Sequence, residues 1–312
     1  MIQVENLTKF YGRTLAIQDV NFSVKKGEIL GFLGPNAAGK TTTLRIMTGF
    51  LGASNGTVKV DGYDVFDDAL EVRRRIGCLP ETVPLYPEMR VREYLGFFAA
   101  LHGVPRAQRA SRVDDAMRKA SIASVADKIV GRLSKGFRQR VGIGQALVHD
   151  PPVLVLDEPT IGLDPRQIIE TRRLIRGLGK NHTIILSTHI LPEVSMTCDR
   201  VVIINRGRVV AEDTPQGLAG ALSKSERTLI RLLRPANDVI ARLEALDGVE
   251  KVRRDQPAGT YVIETALGAD VREVVAAAAV ENLWGLVELR PVALSLEDVF
   301  LHLTTEEEGV SA

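Results

Sequence analysis

Gly34-Pro35-Asn36-Ala37-Ala38-Gly39-Lys40-Thr41-Thr42 is the stretch whose reading decides the fold. It fits the pattern G-x-x-x-x-G-K-[ST]. The apolar run Ile29-Leu30-Gly31-Phe32-Leu33 precedes it and predicts a buried strand, and Leu44, Met47 and Leu51 follow at helical spacing. The loop therefore lies between a strand end and a helix start. There it makes an anion cradle, because successive backbone N–H groups converge, the helix N-terminus adds positive potential, and Lys40 brings a full charge for the outer phosphates of a nucleotide. The Thr41 hydroxyl is placed to ligate Mg²⁺.

The chain has 312 residues, enough for one large domain and a smaller one. Hydrophobic residues make up 45% and charged residues 25%, the balance of an ordinary globular protein. A net charge of +1 gives no reason to expect nucleic acid or an anionic membrane as a direct ligand. Cys78 and Cys198 stand far apart, form neither a metal spacing nor a disulfide framework, and fit a reducing cytoplasm. No apolar stretch approaches the ~18 residues that a membrane span needs. Glu5, Lys9 and Arg13 close behind Met1 leave no signal-peptide core. Work at a membrane would be done through a partner.

Outward from the loop, the N-terminal side reads as strands. Ile2-Gln3-Val4 and Val20-Asn21-Phe22-Ser23-Val24 alternate, and Lys26-Gly27-Glu28 turns into the loop strand. Tyr11 lies in the loop Lys9-Phe10-Tyr11-Gly12. On the other side Asn55-Gly56 is a turn signal, followed by a strand over 57–60 and a turn at Asp61-Gly62. Arg73-Arg74-Arg75 leads into a short strand and then Leu79-Pro80-Glu81. Pro84, Leu85, Tyr86 and Pro87 make a stiff, apolar loop. From Val91 to about Ser124 the pattern is helical, divided at Gly103-Val104-Pro105, with Leu95, Phe98 and Leu101 on one face. Another helix begins near Ser134 and stops at Pro151-Pro152.

Val153-Leu154-Val155-Leu156-Asp157-Glu158-Pro159 is an apolar run ending in two carboxylates. It predicts a buried parallel strand that delivers acids at its C-terminal edge, where open α/β sheets bind ligands. Asp164 caps the next helix with Pro165 at its first position. A further buried strand over 183–187 ends in Thr188-His189, and two strands around the Asn205-Arg206-Gly207 turn close the domain. Beyond a junction at 215–225 the order is strand (228–233), helix (238–246), strand (249–253), strand (261–265), helix (270–283), strand (286–289), the ferredoxin-like order. A short helix around 296–303 and an acidic tail, Glu306-Glu307-Glu308, end the chain.

With Tyr11, Leu133-Ser134-Lys135-Gly136, Leu156-Asp157-Glu158-Pro159, Gly162-Leu163-Asp164 and Ser187-Thr188-His189 in order, the chain resembles the ATP-binding subunits of ABC transporters over about residues 1–220. Leu79-Pro80-Glu81, Leu85-Tyr86-Pro87-Glu88, the Leu133 to Arg140 segment and Leu296-Glu297-Asp298-Val299-Phe300 resemble the ABC-2-type export subfamily, which includes daunorubicin-resistance and gliding-motility ATPases. The resemblance implies an α/β fold: a P-loop NTPase domain over 1–220 with a RecA-like core, an antiparallel β-subdomain and a helical subdomain at about 88–145. A small ferredoxin-like α+β accessory domain over 221–312 follows. It implies an ATPase with ATP and Mg²⁺ as cofactors. Its partners would be a separate ABC-2-type permease and a second copy of the chain, with no nucleic acid. Its place would be cytoplasmic, peripheral on the cytoplasmic face of the cell membrane.

The resemblance also implies roles for residues. Gly34 to Thr42 and Lys40 would hold the phosphates, and Thr41, Asp157 and Glu81 the metal. Glu158 would polarise the attacking water, His189 would contact the γ-phosphate, and Tyr11 would stack on adenine. Ser134, Lys135 and Gly136 would complete the site of the other subunit head to tail, with Asp164 at that interface. The chain departs from the family's commonest pattern at four places. Ala37 replaces a glycine, which is tolerable only at negative φ or with modest strain. Lys135 and Phe137 replace the first signature glycine and its glutamine, while Gly136 is kept. Glu81 stands at the usual Q-loop glutamine, which predicts slower or more partner-dependent turnover. Leu85 and Tyr86 fit a groove for a permease helix and equally fit a local core. The C-terminal domain reads as a packing or dimer-stabilising module, with a ligand-sensing regulator as the other possibility. Two further readings stay open. One is a soluble ABC ATPase of the repair or translation type, which usually carries two ATP modules or a coiled-coil insertion. The other is an importer ATPase.

Overall fold

The computed structural model describes residues 1–221, 225–266, 269–292 and 300. The chain divides into two compact units, Met1–Pro215 and Gln216–Ala312, so the break lies a few residues before the expected boundary. The helix expected around 296–303, Phe300 apart, and the acidic tail lie outside the described residues.

In the first unit β1 (Ile2–Tyr11) and β2 (Thr14–Val24) form a long hairpin, and β3 (Ile29–Leu33) runs into the phosphate loop and α1 (Lys40–Met47). Next come β4 (Asn55–Val60), β5 (Tyr63–Asp64), α2 (Ala69–Arg75) and β6 (Ile76–Leu79). The helices α3 (Val91–Leu101), α4 (Arg106–Lys119) and α5 (Lys135–Leu147) follow as a group. After them come β7 (Val153–Asp157), α6 (Pro165–Leu178), β8 (Thr183–Thr188), α7 (Leu191–Thr197), β9 (Arg200–Asn205) and β10 (Arg208–Asp213). One sheet is antiparallel, in the order β2-β1-β4-β5. The other has the order β10-β9-β3-β8-β7-β6 and is parallel apart from β10. Every residue of β3, β7 and β8 is buried, which is why these strands read as unbroken apolar runs rather than alternating ones.

The two sheets share one core. Ile2, Val20 and Phe22 from the antiparallel sheet pack with Phe32, Val155 and Ile204 from the parallel one, and α1 buries Leu44, Ile46 and Met47 in the same cluster. The first turn of α1 is thereby held rigid beside the ends of β3, β7 and β8.

Two sequence readings are corrected here. Asn55-Gly56 is not a turn but the first two positions of β4. It pairs where β1 bulges at Asn6 (φ +50), and a Cβ on Gly56 would stand 2.3 Å from the Asn6 carbonyl oxygen. The glycine answers a close backbone approach, not a hairpin. Leu101 does not share a buried face with Leu95. The inner stripe of α3 is Val91, Tyr94, Leu95 and Ala99, and Leu101 is 67% exposed in the last turn, just before the chain reverses at Gly103 (φ +75).

The helix α8 (Pro215–Ala221) starts at the last residue of the first unit, and the second unit contains β11 (Ser225–Leu232), α9 (Val239–Glu244), β12 (Val249–Asp255), β13 (Thr260–Ala266), α10 (Arg272–Glu281) and β14 (Leu286–Pro291). Its sheet order, β12-β13-β11-β14, is antiparallel throughout and is the strand order of the ferredoxin-like fold. Ile230, Leu243, Ile263, Val275 and Trp284 form its core.

Candidate functional site

The phosphate loop bends because two of its glycines have no room for a side chain. A Cβ on Gly34 would lie 2.4 Å from the Ile204 carbonyl oxygen, and one on Gly39 (φ +105) would lie 2.5 Å from Ile17 Cγ2. Ala37 occupies a left-handed position between them, at φ +64. A non-glycine residue there costs roughly 1–2 kcal/mol. The strain that the sequence left conditional is therefore present, and it falls on an exposed residue at the mouth of the loop. Ala37→Gly removes it, against about 0.4–1 kcal/mol of extra chain entropy in the unfolded state. The expected outcome is a net gain between zero and about 1.6 kcal/mol, read as a raised urea midpoint, with ATP bound at least as tightly.

Lys40 is buried and curls back over its own loop. Its Nζ donates to the Gly34 carbonyl at 2.7 Å and the Pro35 carbonyl at 3.2 Å, and lies 3.7 Å from Glu158 Oε1. Burial lowers the Lys40 pKa, opposed by the negative charges of Glu158, Asp157 and Glu81.

Glu158 follows the last residue of β7 with φ +49, a second strained non-glycine position. Its amide donates to the Ser187 carbonyl at the end of β8 (3.0 Å), so the kink ties two strand ends together and aims the carboxylate across the loop. Nδ1 of His189 sits 2.9 Å from Oε2 and 3.0 Å from Oε1 of that carboxylate. Glu158 is thus held between an ammonium and an imidazole.

Asp157 is also buried, and burial raises its pKa, with the Glu81 charge adding to the effect. The Ser187 and Thr41 hydroxyls and Lys40 pull the other way. Its Oδ1 has no hydrogen-bond partner. A buried carboxylate oxygen without a donor, next to a threonine hydroxyl, suits a hard divalent cation. Among the described residues no group of three or more His, Cys, Asp or Glu side chains could hold a metal ion.

Asp157 lines a small pocket shared with Thr41 and Glu81, and Lys40, Glu158 and His189 line the neighbouring cleft of about 840 Å³. Its wall includes Asn36 to Thr42, Glu81, Glu158 and His189, together with Thr14, Leu15, Ala16, Ile161 and Arg206. The chemistry on offer is an amide cradle, a lysine, a carboxylate pair and an imidazole, all within one nucleotide-sized opening. Comparison with known proteins agrees. The family profile described as ABC transporter matches residues 17–161. A linearmycin resistance ATP-binding protein of Bacillus subtilis is 31% identical, over 97% of this chain and 98% of its own length. A bacitracin transport ATP-binding protein of Bacillus licheniformis is 40% identical over 68% of this chain and 69% of its own. A dimeric ATP-binding cassette solved in a post-hydrolysis state with ADP and phosphate superposes with TM-score 0.62 at 27% identity, covering 69% of this chain and 98% of that one.

The chain belongs to the ATP-binding subunits of ABC transporters.

In this ABC ATPase the remaining sequence candidates lie outside the cleft wall. Tyr11 ends β1 half-exposed, with Lys9 Nζ 5.7 Å from its ring centre. Its partner across the hairpin, Thr14, does line the cleft, so Tyr11 stands at the rim. Ser134 caps α5, accepting from the Phe137 amide at 3.4 Å, and Lys135 begins that helix. Asp164 caps α6, accepting from the Gln167 amide at 2.9 Å. A Cβ on Gly136 would meet Gln167 Oε1 at 2.6 Å, and one on Gly162 would meet Lys135 Nζ at 2.1 Å. The signature segment and the Asp164 turn therefore pack on each other; none of their residues is in the cleft wall, and Lys135 lines an adjoining groove that shares Glu81 and Ile161 with it. Thr14 to Ala16, Ile161 and Arg206 were not singled out by sequence. Arg206 carried one signal, since it is a cation in a hairpin turn (φ +45) next to a glycine (φ +81).

Proposed function

We propose that the chain is the ATP-hydrolysing motor of an ABC-2-type export system, working as a head-to-tail pair that drives a separate permease. The observation that carries this reading is the division just described. Lys40, Glu158 and His189 line one cleft, with Asp157 in the small pocket beside it, while Ser134, Lys135, Gly136 and Asp164 lie outside that cleft's wall. The signature segment begins a helix with free amides and a hydroxyl, which is an anion-binding arrangement in search of a phosphate. A second copy would supply it. The export direction is supported by the relatives' names, which concern linearmycin resistance and bacitracin transport.

In this reading the loop amides and Lys40 hold the phosphates, and Tyr11 stacks on the base from the rim. Glu158 accepts the proton of the attacking water, and His189 steadies that carboxylate and meets the γ-phosphate. Thr41 and Asp157 would hold Mg²⁺, with Glu81 placed to reach its water shell. Mg²⁺ held there would supply positive charge against the charge that develops on the transferred phosphoryl group. The permease would dock at a groove of about 500 Å³ lined by Glu81, Val83, Leu85, Pro87 and Arg138. Tyr86 beside it is held half-exposed by Phe97 and Phe98 (ring centres 5.8 and 6.5 Å). No helix among the described residues is long and apolar enough to cross a membrane, so attachment to the cytoplasmic face would come from the permease. The unit after Pro215 would pack against or stabilise the pair.

Sedimentation of the purified chain tests the proposal. MgATP should double its mass, and ADP should return it to the single-chain value. A mass indifferent to nucleotide, in a chain that still binds ATP, would count against the paired motor.

A further inference from the structure

Glu193 is fully buried, and the reaction as described makes no use of it. A buried carboxylate is costly unless its oxygens are satisfied. Here the satisfaction is unequal. Oε2 accepts from the Thr188 hydroxyl at 2.6 Å. Oε1 has no hydrogen-bond partner and lies 4.0 Å from Arg172 Nε, itself without one. An apolar side chain of similar size would fill the space at less cost. The contact that an apolar residue could not make is the one to Thr188.

Thr188 is the last residue of β8 and is also fully buried. Its single hydroxyl proton goes to Glu193, which turns an oxygen lone pair toward the Ile190 amide, accepted at 3.0 Å. The Glu193 amide in turn donates to the Ile190 carbonyl at 3.0 Å. Residues 188 and 190 are thus locked to the start of α7, and His189 lies between them. Its ring, 41% exposed, bonds among the described residues to the Glu158 carboxylate alone. The backbone on either side must therefore aim it.

We infer that Glu193 is a positioning residue for the hydrolytic site: through the Thr188 hydroxyl it sets the 188–190 turn that points His189 at Glu158. This rests on the reading of the cleft as an ATP-hydrolysing site, and it adds α7 to the elements that build the site. A displacement of about 1 Å in a reacting group lowers rate by up to about a hundredfold, so a slack turn should be visible in turnover.

The test uses the full chain labelled with ¹⁵N-histidine, the His189 imidazole signal being identified by its loss in His189→Ala. Thr188→Val keeps the shape and removes the hydroxyl. Glu193→Leu removes the acceptor, and Thr188→Ser keeps the hydroxyl. The first two should move the His189 signal and lower kcat about ten- to a hundredfold while KM for ATP stays near the wild-type value. Thr188→Ser should restore both. If either of the first two fails to fold, the other decides. An unmoved His189 signal, with only a lowered Tm, overturns the inference by making Glu193 a packing residue. A moved signal with unchanged kcat overturns its catalytic consequence. If the wild-type chain hydrolyses no ATP, the proposed function fails, while the imidazole signal still decides whether Glu193 aims His189.

Discussion

Glu158→Gln is expected to lower ATP turnover about 10²–10⁴-fold, the usual worth of a positioned general base, and to leave ATP binding intact or tighter. The side chain keeps its size and one acceptor oxygen, so it can still receive a hydrogen bond from His189. It loses the charge that now faces Lys40 at 3.7 Å, and with it any means of taking a proton from water. Losing that charge also removes repulsion toward an incoming γ-phosphate, which is why affinity should not fall. ATP bound but not cleaved should hold the proposed pair together, so the variant should sediment as a stable dimer with ATP under conditions where the wild-type chain cycles. Phosphate release and sedimentation together check it. Turnover within about an order of magnitude of wild type, less than a general base contributes, would remove Glu158 from the proton-transfer step and leave it as a tether for His189.

Much of this site was legible because single-chain patterns encode it. The apolar run before Gly34 and the glycine–lysine–threonine that follows can be satisfied only by a buried strand, a tight loop and a helix start. The run from Val153 to Glu158 announces a strand buried on both faces and acids at its end, and every one of its residues is buried. The alternation beyond residue 225 revealed a β-α-β-β-α-β order whose sheet has the corresponding strand arrangement. What sequence could not show is tertiary. The bulge at Asn6 turns Asn55-Gly56 from a hairpin signal into a strand contact. The positive φ values of Ala37 and Glu158 carry no residue-type signal, and at Glu158 the amide's bond to the Ser187 carbonyl on another strand accompanies the kink. Thr14 and Leu15 join the cleft wall because β2 arrives there through sheet topology, with no local motif to mark them, and Arg206 joins it on the β9–β10 turn, marked only as a cation beside a turn glycine. The buried contact between Glu193 and Thr188 belongs to the same class, since only the packing of α7 on β8 makes those two residues neighbours across a turn.

Lys40→Met separates binding from folding more sharply than any other change at the site. In the chain as it stands the ammonium is already partnered, with two carbonyls of its own loop and the Glu158 carboxylate around it. Burial lowers its pKa, so keeping the charge there is unfavourable until something more negative arrives. Nucleotide phosphates are that partner. Removing one member of a buried, hydrogen-bonded charge pair costs about 2–5 kcal/mol of binding, and each 1.4 kcal/mol is about a factor of ten. The expected result is a Kd for ATP weakened by about 30- to several-thousandfold. Folding should respond differently. The variant gives up the two carbonyl contacts and the Glu158 pair but also sheds a buried charge, and these terms oppose each other. Thermal unfolding with and without MgATP distinguishes the two effects. In wild type, ligand raises Tm in proportion to RT ln(1 + [L]/Kd). In Lys40→Met that rise should disappear at ATP concentrations that saturate the wild type, while the nucleotide-free Tm changes little. A full ligand-induced rise in the variant would mean that the amide cradle, strained Ala37 included, binds phosphates without its lysine.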